Sequence, residues 1–409
     1  MKRPPIPTEA AFTSRLRNER LSAGIGMWLG VSFGLCFLTG LVSHWYYLPD
    51  LPVLPPVRPV WGYQVTQGAH VLSGIAAIPL LLVKLWSVYP KLFGEIPFGK
   101  LRPLLVNLAE KASIAVLVAA AIFQLVTGLA NSSGWYPWSF SFRSTHYAVA
   151  WIAIGALVVH IAVKLPIIRA AYAEPLPEPA PEPLAVPVAD PLAEPLAEPL
   201  AGPAATDQPS GRGPSRRTLL RTALLASSVA VIAAAGNTVP FLRKVSVFAV
   251  RTGEGPQGVP INRSAKAAGV LTTAVDPAFE LTLVNGDREV TITRADLEAM
   301  TQRVHQLPIA CVEGWSAAAS WTGVRFADLL DLVDAPENAS LRVRSLQEKG
   351  AFGVTEIPAS FARDPLTLLA LKLNGDDLSI DHGFPCRLIA PNRPGVMQTK
   401  WVNRIEVLA

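Results

Sequence analysis

The chain has 409 residues, of which 50% are hydrophobic and 16% are charged, and its formal net charge is +5. The apolar fraction is high for a soluble protein, and the sequence has no basic stripe with interleaved aromatic residues of the kind that binds nucleic acid. The three cysteines, Cys36, Cys311 and Cys386, are too few and too widely spaced for a disulfide framework or a zinc site of paired cysteines.

Five apolar stretches have the roughly 20 residues that a helix needs to cross a bilayer. They cover residues 24–47, 63–86, 112–130, 147–168 and 219–241. Lysine and arginine are concentrated before the first stretch, between the second and third, and after the fourth, whereas the opposite loops are rich in tryptophan and tyrosine. The positive-inside rule therefore predicts a multi-pass protein of the inner (cytoplasmic) membrane with a cytoplasmic amino terminus. We expect the first four spans to form an all-α four-helix bundle in contact with lipid.

Residues 174–214, between the fourth and fifth spans, contain proline every few residues among alanine and glutamate. Proline blocks both helix and sheet, so this segment is predicted to be an extended cytoplasmic linker. The fifth span follows Ser215-Arg216-Arg217-Thr218-Leu219-Leu220, whose arginines are either ordinary positive-inside flanks or part of an export signal. Paired arginines before a weakly apolar run resemble a twin-arginine signal, which implies the twin-arginine and general secretion machinery as partners. In either case we expect the chain after about residue 242 to be external, in the periplasm.

Four of the six histidines, His44, His70, His146 and His160, lie in or beside the first four spans. Ionisable groups at membrane depth are costly and usually functional. His146 and His160 are 14 residues apart (160 − 146), which is close to four helical turns and about 21 Å, so both face one side of the fourth span. His70 and His146 lie at comparable depth, and we predict that they bind the iron of a b-type haem from two facing helices. For His44 an interfacial role and a functional one are equally open.

This arrangement resembles the cytochrome b subunits of bacterial formate dehydrogenases and hydrogenases. In that family an outer haem lies between the second and fourth spans, which matches His70 and His146. An inner haem uses the second histidine of the fourth span, here His160, and a histidine near the start of the first span. Residues 15–20 contain no histidine. His160 therefore binds an inner haem with an atypical partner, pairs diagonally with His70, or binds none.

The last third of the chain has a different pattern. Residues 279–284 and 289–293 read as strands around a tight turn at Asn285-Gly286, and residues 401–407 alternate like a closing strand. Residues 294–300 and 326–333 are predicted to be short helices. Strands mixed with a few helices indicate a compact α+β domain.

A lone cysteine after an apolar strand is usually structural, but the surroundings of Cys311 favour another interpretation. The segment Cys311-Val-Glu-Gly-Trp-Ser, followed by Trp321-Thr-Gly, resembles the molybdenum-ligand segment of the sulfite oxidase superfamily. Residues 371–375 and the closing stretch 381–405 resemble later motifs of that family, in the same order. The resemblance implies a molybdopterin cofactor, and Cys311 would supply the thiolate that molybdenum favours.

Other residues near these motifs are candidates for the same site. The pterin carries a phosphate, so Arg387, Arg393 and Lys400 are predicted to meet it, the alternative being ordinary surface charge. His382 either contacts the pterin or is a turn histidine with its hydrogen bonds satisfied, and Asn262 is a weaker candidate from the amino-terminal side. The segment resembles the periplasmic methionine-sulfoxide reductase branch more than sulfite oxidases, which place arginines after the cysteine. Glu313 stands there instead, and we expect it to act as a proton donor.

The predicted domains are residues 1–173 (membrane domain), 174–214 (linker), 215–242 (fifth helix), 243–274 (connection) and 275–409 (molybdopterin domain). The leading hypothesis is a membrane-bound molybdenum oxidoreductase that passes electrons, in either direction, between the quinone pool, a b-type haem and an external small-molecule substrate. The alternative is a non-catalytic electron-carrier or assembly subunit with a degenerate molybdopterin fold. A transporter has little support, because the histidines lie at haem-like depth and no broken-helix pattern is evident.

Overall fold

Five long helices form the amino-terminal part of the protein. The computed structural model describes residues 8–14, 16–48, 53–94, 100–173, 215–249, 255–348 and 350–408. Within these residues the long helices are Glu19–Trp45 (α1), Gly62–Val88 (α2), Leu101–Ser132 (α3), Phe142–Ala173 (α4) and Arg216–Ala235 (α5). All five are long and apolar enough to cross a membrane, which confirms the five predicted apolar helices.

The helix ends differ from the predicted spans. Helix α3 starts at Leu101, eleven residues before the predicted start (112 − 101), because hydropathy marks the bilayer core whereas the hydrogen-bonded helix continues into charged residues. Helix α5 stops at Ala235 rather than near residue 241, since Gly236 and Pro240 interrupt the helical pattern. The predicted linker, residues 174–214, lies outside the described residues. So do Lys2, Arg3 and Arg15, three of the positively charged residues that precede the first predicted span.

The long helices pack in a defined order. Helix α1 packs against α2 and α4, α3 packs against α4 and α2, and α5 lies on α2. Hydroxyl groups join neighbouring helices: Ser32 Oγ donates to the Ser73 carbonyl at 2.6 Å, and Ser227 Oγ donates to the Ala76 carbonyl at 2.9 Å. Such bonds to backbone carbonyls fix helix pairs where the hydrophobic effect between helices is weak.

The carboxyl-terminal domain contains two five-stranded sheets. Its strands are Glu280–Asn285 (β1), Arg288–Thr293 (β2), Gln302–Ala310 (β3), Ser316–Arg325 (β4), Leu341–Ser345 (β5), Val354–Ile357 (β6), Leu368–Leu373 (β7), Asp376–Asp377 (β8), Arg387–Ile389 (β9) and Val402–Val407 (β10). The first sheet has the order β2-β1-β10-β5-β6, and the second has β3-β4-β7-β8 with β9 paired to β7. The domain also has short helices at Ala265–Ala268 (α6), before β1, and at Arg294–Ala299 (α7), Phe326–Asp331 (α8) and Ala359–Ala362 (α9).

The three predicted strands and the two predicted short helices of the α+β domain are confirmed. β1 and β2 form the expected antiparallel hairpin, with Gly286 at a φ of +57° in the turn. The closing strand β10 pairs in parallel with β1, with Thr282 opposite Arg404. Helix α7 starts at Arg294 behind a capping box formed by Thr293 and Asp296, which explains its sharp beginning.

The carboxyl-terminal domain rests on the ends of the long helices. Asn392 donates to the Tyr46 hydroxyl at 2.8 Å and to the Pro56 carbonyl at 2.7 Å, and its side-chain oxygen accepts from the backbone N–H of Tyr63. Arg58 forms an ion pair with Asp364 at 3.0 Å. The turn after β3, which carries Cys311, lies over the start of α2 and the end of α3, because the carbonyl of its residue Val312 accepts hydrogen bonds from Gln67 and Asn131.

Candidate cofactor sites

Cys311 lies in a tight turn between β3 and β4. Its N–H donates to the Trp315 carbonyl at 2.9 Å, and the Gly314 N–H donates back to the Cys311 carbonyl at 3.0 Å. Gly314 has a φ of +88°, and a Cβ there would lie 2.8 Å from Val71 Cγ2, so only glycine fits this turn against α2. The cysteine is 1% exposed. The turn thus fixes a buried thiol at the boundary between the two regions of the protein.

Glu313 is held by residues from both regions. One carboxylate oxygen lies 3.1 Å from the Tyr136 hydroxyl oxygen, and the other accepts a hydrogen bond from Trp315 Nε1 at 3.0 Å. The Cys311 thiol is 3.8 Å from the same oxygen as Trp315. The carboxylate therefore lies close enough to Cys311 to hold a proton beside it, and its role as a proton donor stays a prediction.

Two buried cations, Arg387 and Lys400, lie beside each other on an isolated β-bridge and interact electrostatically with Cys311. They are 3% and 8% exposed. Burial lowers the pKa of Arg387 to about 9, and burial together with the Arg387 charge holds the pKa of Lys400 well below its ordinary value. Among the described residues, Arg387 Nε has no hydrogen-bond partner. Adjacent buried cations are stable only with an anion, so this pair fits the phosphate of a pterin cofactor.

The other predicted cofactor residues have different surroundings. His382 is buried, and its Nε2 donates to the Pro256 carbonyl at 2.8 Å, while its own carbonyl accepts from Arg387. Burial and the Arg387 charge lower the pKa of His382 to about 4, so the ring is neutral near pH 7. His382 thereby has the satisfied hydrogen bond of a turn histidine and supports Arg387.

Arg393 lies apart from this group, whereas Asn262 is connected to it through the backbone. The Arg393 guanidinium donates to the Glu356 carbonyl and lies 5.7 Å from the Phe361 ring centre. Burial lowers its pKa to about 9. Asn262 directly precedes Arg263, whose carbonyl accepts from Lys400, so it lies near the cation pair through the backbone. The structure therefore brings Arg387 and Lys400 to Cys311 and directs Arg393 elsewhere.

An apolar cavity of about 160 Å³ lies among α1, α2, α3 and α4, and both His70 and His146 line it. Their ring centres are 6.2 Å apart, with the rings nearly perpendicular. His70 Nδ1 donates to the Cys36 carbonyl at 2.8 Å. Thr127 gives its hydroxyl proton to the Phe123 carbonyl, so its oxygen accepts from His146 Nδ1 at 3.1 Å. These bonds fix both rings and leave Nε2 of each as the atom that can bind a metal.

The two remaining histidines of the helices are placed differently. His44 also lines the cavity and stacks on Tyr147 with the ring centres 3.8 Å apart. His160 is not part of the described lining, and it interacts electrostatically with the charged residues Lys84, Lys164 and Glu110. Gly40 leaves room for His70, since a Cβ there would lie 3.0 Å from the imidazole.

Sequence reasoning missed the residues that hold the predicted ligands. These are the hydrogen-bonding side chains of the long helices and of the loop after α3: Gln67, Thr127, Asn131 and Tyr136. From the sequence, Tyr136 is only one of the tryptophan and tyrosine residues that are concentrated in the loops with few positive charges. A signal was present, because amides and hydroxyls inside apolar spans need partners, but their partners are distant in sequence.

Comparisons with known proteins find a molybdopterin-binding domain and several partial relatives. Residues 269–409 match the family model described as oxidoreductase molybdopterin binding domain. Sulfite oxidase of Arabidopsis thaliana is 34% identical over 114 residues, which cover 24% of this chain and 29% of that protein. The putative protein-methionine-sulfoxide reductase subunit YedZ1 of Azospira oryzae is 34% identical over 116 residues, covering 28% of this chain and 43% of that protein.

Among solved structures, the sulfane dehydrogenase SoxCD of Paracoccus pantotrophus is 22% identical, with a TM-score of 0.30 over 33% of this chain and 40% of that chain. A likeness of that degree supports no conclusion about function. The chain spans less than half the length of the relatives named above. The family match starts at residue 269, shortly before the predicted boundary at 275. Residues 269–409 of this chain are a molybdopterin-binding oxidoreductase domain that follows five apolar helices, and the chain is similar over part of its length to sulfite oxidase and to YedZ1.

Proposed function

We propose that the protein is a membrane-bound molybdenum oxidoreductase that passes electrons between the quinone pool, a b-type haem and an external small-molecule substrate. One observation carries the proposal: Val312, the residue after Cys311, lines the same cavity as His70 and His146. The predicted molybdenum ligand and the predicted haem ligands therefore belong to adjacent sites, as a short electron path requires.

At the molybdenum site the chain supplies the ligand and the charge. Cys311 would bind the metal as a thiolate, and Arg387 with Lys400 would bind the cofactor phosphate. When bound, molybdopterin supplies a metal that exchanges electrons with the substrate. Glu313, held by Tyr136 and Trp315, would give or take the accompanying proton. Its negative charge disfavours an anion such as sulfite beside it and favours a neutral, oxygen-bearing substrate.

At the haem site the chain supplies two oriented imidazoles and an apolar surrounding. His70 and His146 would bind the iron through Nε2, with the Cys36 carbonyl and Thr127 fixing the ring orientations. The cavity is lined mainly by apolar side chains of four helices, which exclude water from the ring. Helices α1 to α4 would thus act as a four-helix cytochrome b-like bundle. His160 on α4 is the candidate ligand of a second haem.

The proposed topology follows the charge distribution. The amino terminus would be cytoplasmic, the bundle would lie in the inner membrane, and α5 would carry the carboxyl-terminal domain to the periplasm. The arginines at the start of α5, behind the Ser215 cap, support export through the twin-arginine machinery. Lipid surrounds the helices, and quinone or quinol is the membrane-soluble electron partner.

The test is elemental analysis together with a reduced-minus-oxidised optical spectrum of the purified full-length protein. We expect molybdenum and a Soret band in the wild type, and loss of molybdenum with an unchanged Soret band in Cys311→Ala. A wild-type protein that contains neither would refute the proposal. Unchanged molybdenum and unchanged substrate-dependent haem oxidation in Cys311→Ala would favour the non-catalytic electron-carrier or assembly subunit.

A further inference from the structure

The carbonyl of Val312 receives two side-chain hydrogen bonds from the long helices. Gln67 Nε2 on α2 and Asn131 Nδ2 on α3 both donate to it, each at 3.0 Å. Both amides are buried. Because Val312 follows Cys311 directly, the two helices together fix the peptide next to the predicted molybdenum ligand.

Each amide is oriented by a hydroxyl on its other side. Ser43 Oγ donates to Gln67 Oε1 at 2.7 Å, and the Tyr136 hydroxyl donates to Asn131 Oδ1 at 2.8 Å. With the amide oxygen occupied by a donor, the NH₂ group of each side chain faces the Val312 carbonyl. We call this arrangement, Gln67 and Asn131 on the Val312 carbonyl, the amide clamp.

Each residue of the amide clamp lies one helical turn from a residue of the predicted haem site. On α2 this residue is the predicted ligand His70, and on α3 it is Thr127, the hydrogen-bond partner of His146. Gln67 is three residues before His70 on α2, and Asn131 is four residues after Thr127 on α3. Residues three or four apart lie on the same face of a helix, and Thr127 accepts from His146. The same faces of α2 and α3 therefore hold both imidazoles and the Cys311 turn.

We propose that the amide clamp is a positioning device that completes the molybdenum site from the membrane helices. Gln67 and Asn131 hold the Cys311 thiolate in place and fix its distance from the haem cavity. The inference rests on the proposed function only for the role of Cys311 as metal ligand. Gln67 and Asn131 act through Val312, so they are positioning residues rather than catalytic ones.

The test measures how fast iodoacetamide alkylates Cys311 in the full-length protein, purified in detergent from cells that make no molybdenum cofactor. Mass spectrometry of the Cys311 peptide gives the rate. We expect Gln67→Leu and Asn131→Leu each to raise it about fivefold, the effect of losing one hydrogen bond, and the double variant to raise it further. Cys386, which is 0% exposed, is the internal control, since unfolding of the domain would expose both thiols.

The matched control is Gln64→Leu. Gln64, one turn earlier on α2, donates to Ser316 Oγ at 2.9 Å, so this variant removes an amide bond between the same two regions without touching Val312. We expect its Cys311 rate to equal that of the wild type. Equal rates in the wild type and both clamp variants would overturn the proposal, and so would an equal increase in Gln64→Leu.

If Cys386 is alkylated in the leucine variants, those variants are unfolded, and a milder variant is used to test the amide clamp. Ser43→Ala removes only the hydroxyl that orients Gln67, and we expect about a twofold rise at Cys311. No rise in a folded Ser43→Ala would then count against the clamp. Molybdenum content, measured in cells that make the cofactor, separates the two proposals. A wild type without molybdenum refutes the proposed function, whereas the alkylation rates still test the amide clamp.

Discussion

The two regions of the protein bury polar groups in opposite ways. Among the long helices, the cavity histidines His70 and His146 bond through Nδ1 to neutral oxygens, those of the Cys36 carbonyl and Thr127. In the carboxyl-terminal domain, the cations Arg387 and Lys400 are buried side by side. The first arrangement suits a metal held by neutral ligands in apolar surroundings, and the second suits an anionic cofactor.

The difference reflects what each region can tolerate. A charge inside the bilayer is costly, so an oriented neutral imidazole is a suitable ligand there. In the carboxyl-terminal domain, buried charge is possible if a bound anion compensates it. Each region is therefore prepared for a different kind of cofactor, and substitutions that exchange or remove these features test the comparison.

The largest effect is expected from His146→Ala. Removal of one axial ligand should abolish haem binding between α2 and α4, because the remaining imidazole alone holds the iron weakly. The reduced-minus-oxidised spectrum per mole of protein measures this loss. His305→Ala, on β3 of the carboxyl-terminal domain, is the control and should leave the spectrum unchanged. If half of the haem remains in His146→Ala, a second haem site exists and His160 is its candidate ligand.

The next effect is expected from Arg387→Met, compared with Arg393→Met. Loss of a charged hydrogen bond to the cofactor phosphate should weaken cofactor retention about a hundredfold. The same change removes an uncompensated buried charge, so the cofactor-free protein should melt at a higher temperature. Arg393→Met should retain the cofactor, because Arg393 contacts Glu356 and Phe361 instead. Equal loss in both variants would mean that the two arginines share one site.

A smaller effect concerns pH and His382. Its pKa of about 4 lies below the ordinary value near 6.5, so the unfolded chain takes up a proton first as the pH falls. The free energy of unfolding is therefore highest above pH 6.5 and should fall by up to about 3 kcal/mol between pH 6.5 and 4. His382→Gln keeps a donor for the Pro256 carbonyl and should lessen that fall. Thermal melting of both proteins from pH 7 to 4.5 measures the difference, and parallel curves would contradict the assignment.

The smallest effect is expected from Thr127→Val. The variant keeps the shape of the side chain and removes the oxygen that accepts from His146 Nδ1, so haem should still bind, with affinity about tenfold lower. Haem titration of the haem-free protein measures the affinity. Thr66→Val is a matched control, since Thr66, outside the described cavity lining, donates to carbonyls of its own helix, those of Gly62 and Tyr63. A similar change in both variants would show that the hydroxyl of Thr127 has no special role.

The sequence predicted the parts of the molecule that local pattern encodes. The five apolar helices, the hairpin of β1 and β2, and the molybdopterin domain around Cys311 are confirmed. Helix ends were less accurate, because charged residues such as those near Leu101 continue a helix that hydropathy does not detect.

The partners of the site residues could not be predicted, because they depend on contacts between distant segments. Gln67 meets a carbonyl 245 residues later, and Asn131 meets the same carbonyl 181 residues later. Arg393 and Arg387 belong to the same closing sequence motif. Asn392, which precedes Arg393, has a positive φ. Arg387 donates to the His382 carbonyl, whereas Arg393 donates to the Glu356 carbonyl. The hydrophobic periodicity of a segment does not predict such contacts between distant residues.

The contact of Asn392 with the second helix has a consequence for the order of assembly. The first N–H groups of a helix have no partner within the helix, and the preceding residue Trp61 offers no side-chain cap to α2. Asn392 accepts from the N–H of Tyr63, 329 residues earlier in the chain. A residue of the carboxyl-terminal domain thus caps the helix that carries His70. The first turn of α2 therefore has all of these hydrogen bonds only once the carboxyl-terminal domain has folded against it.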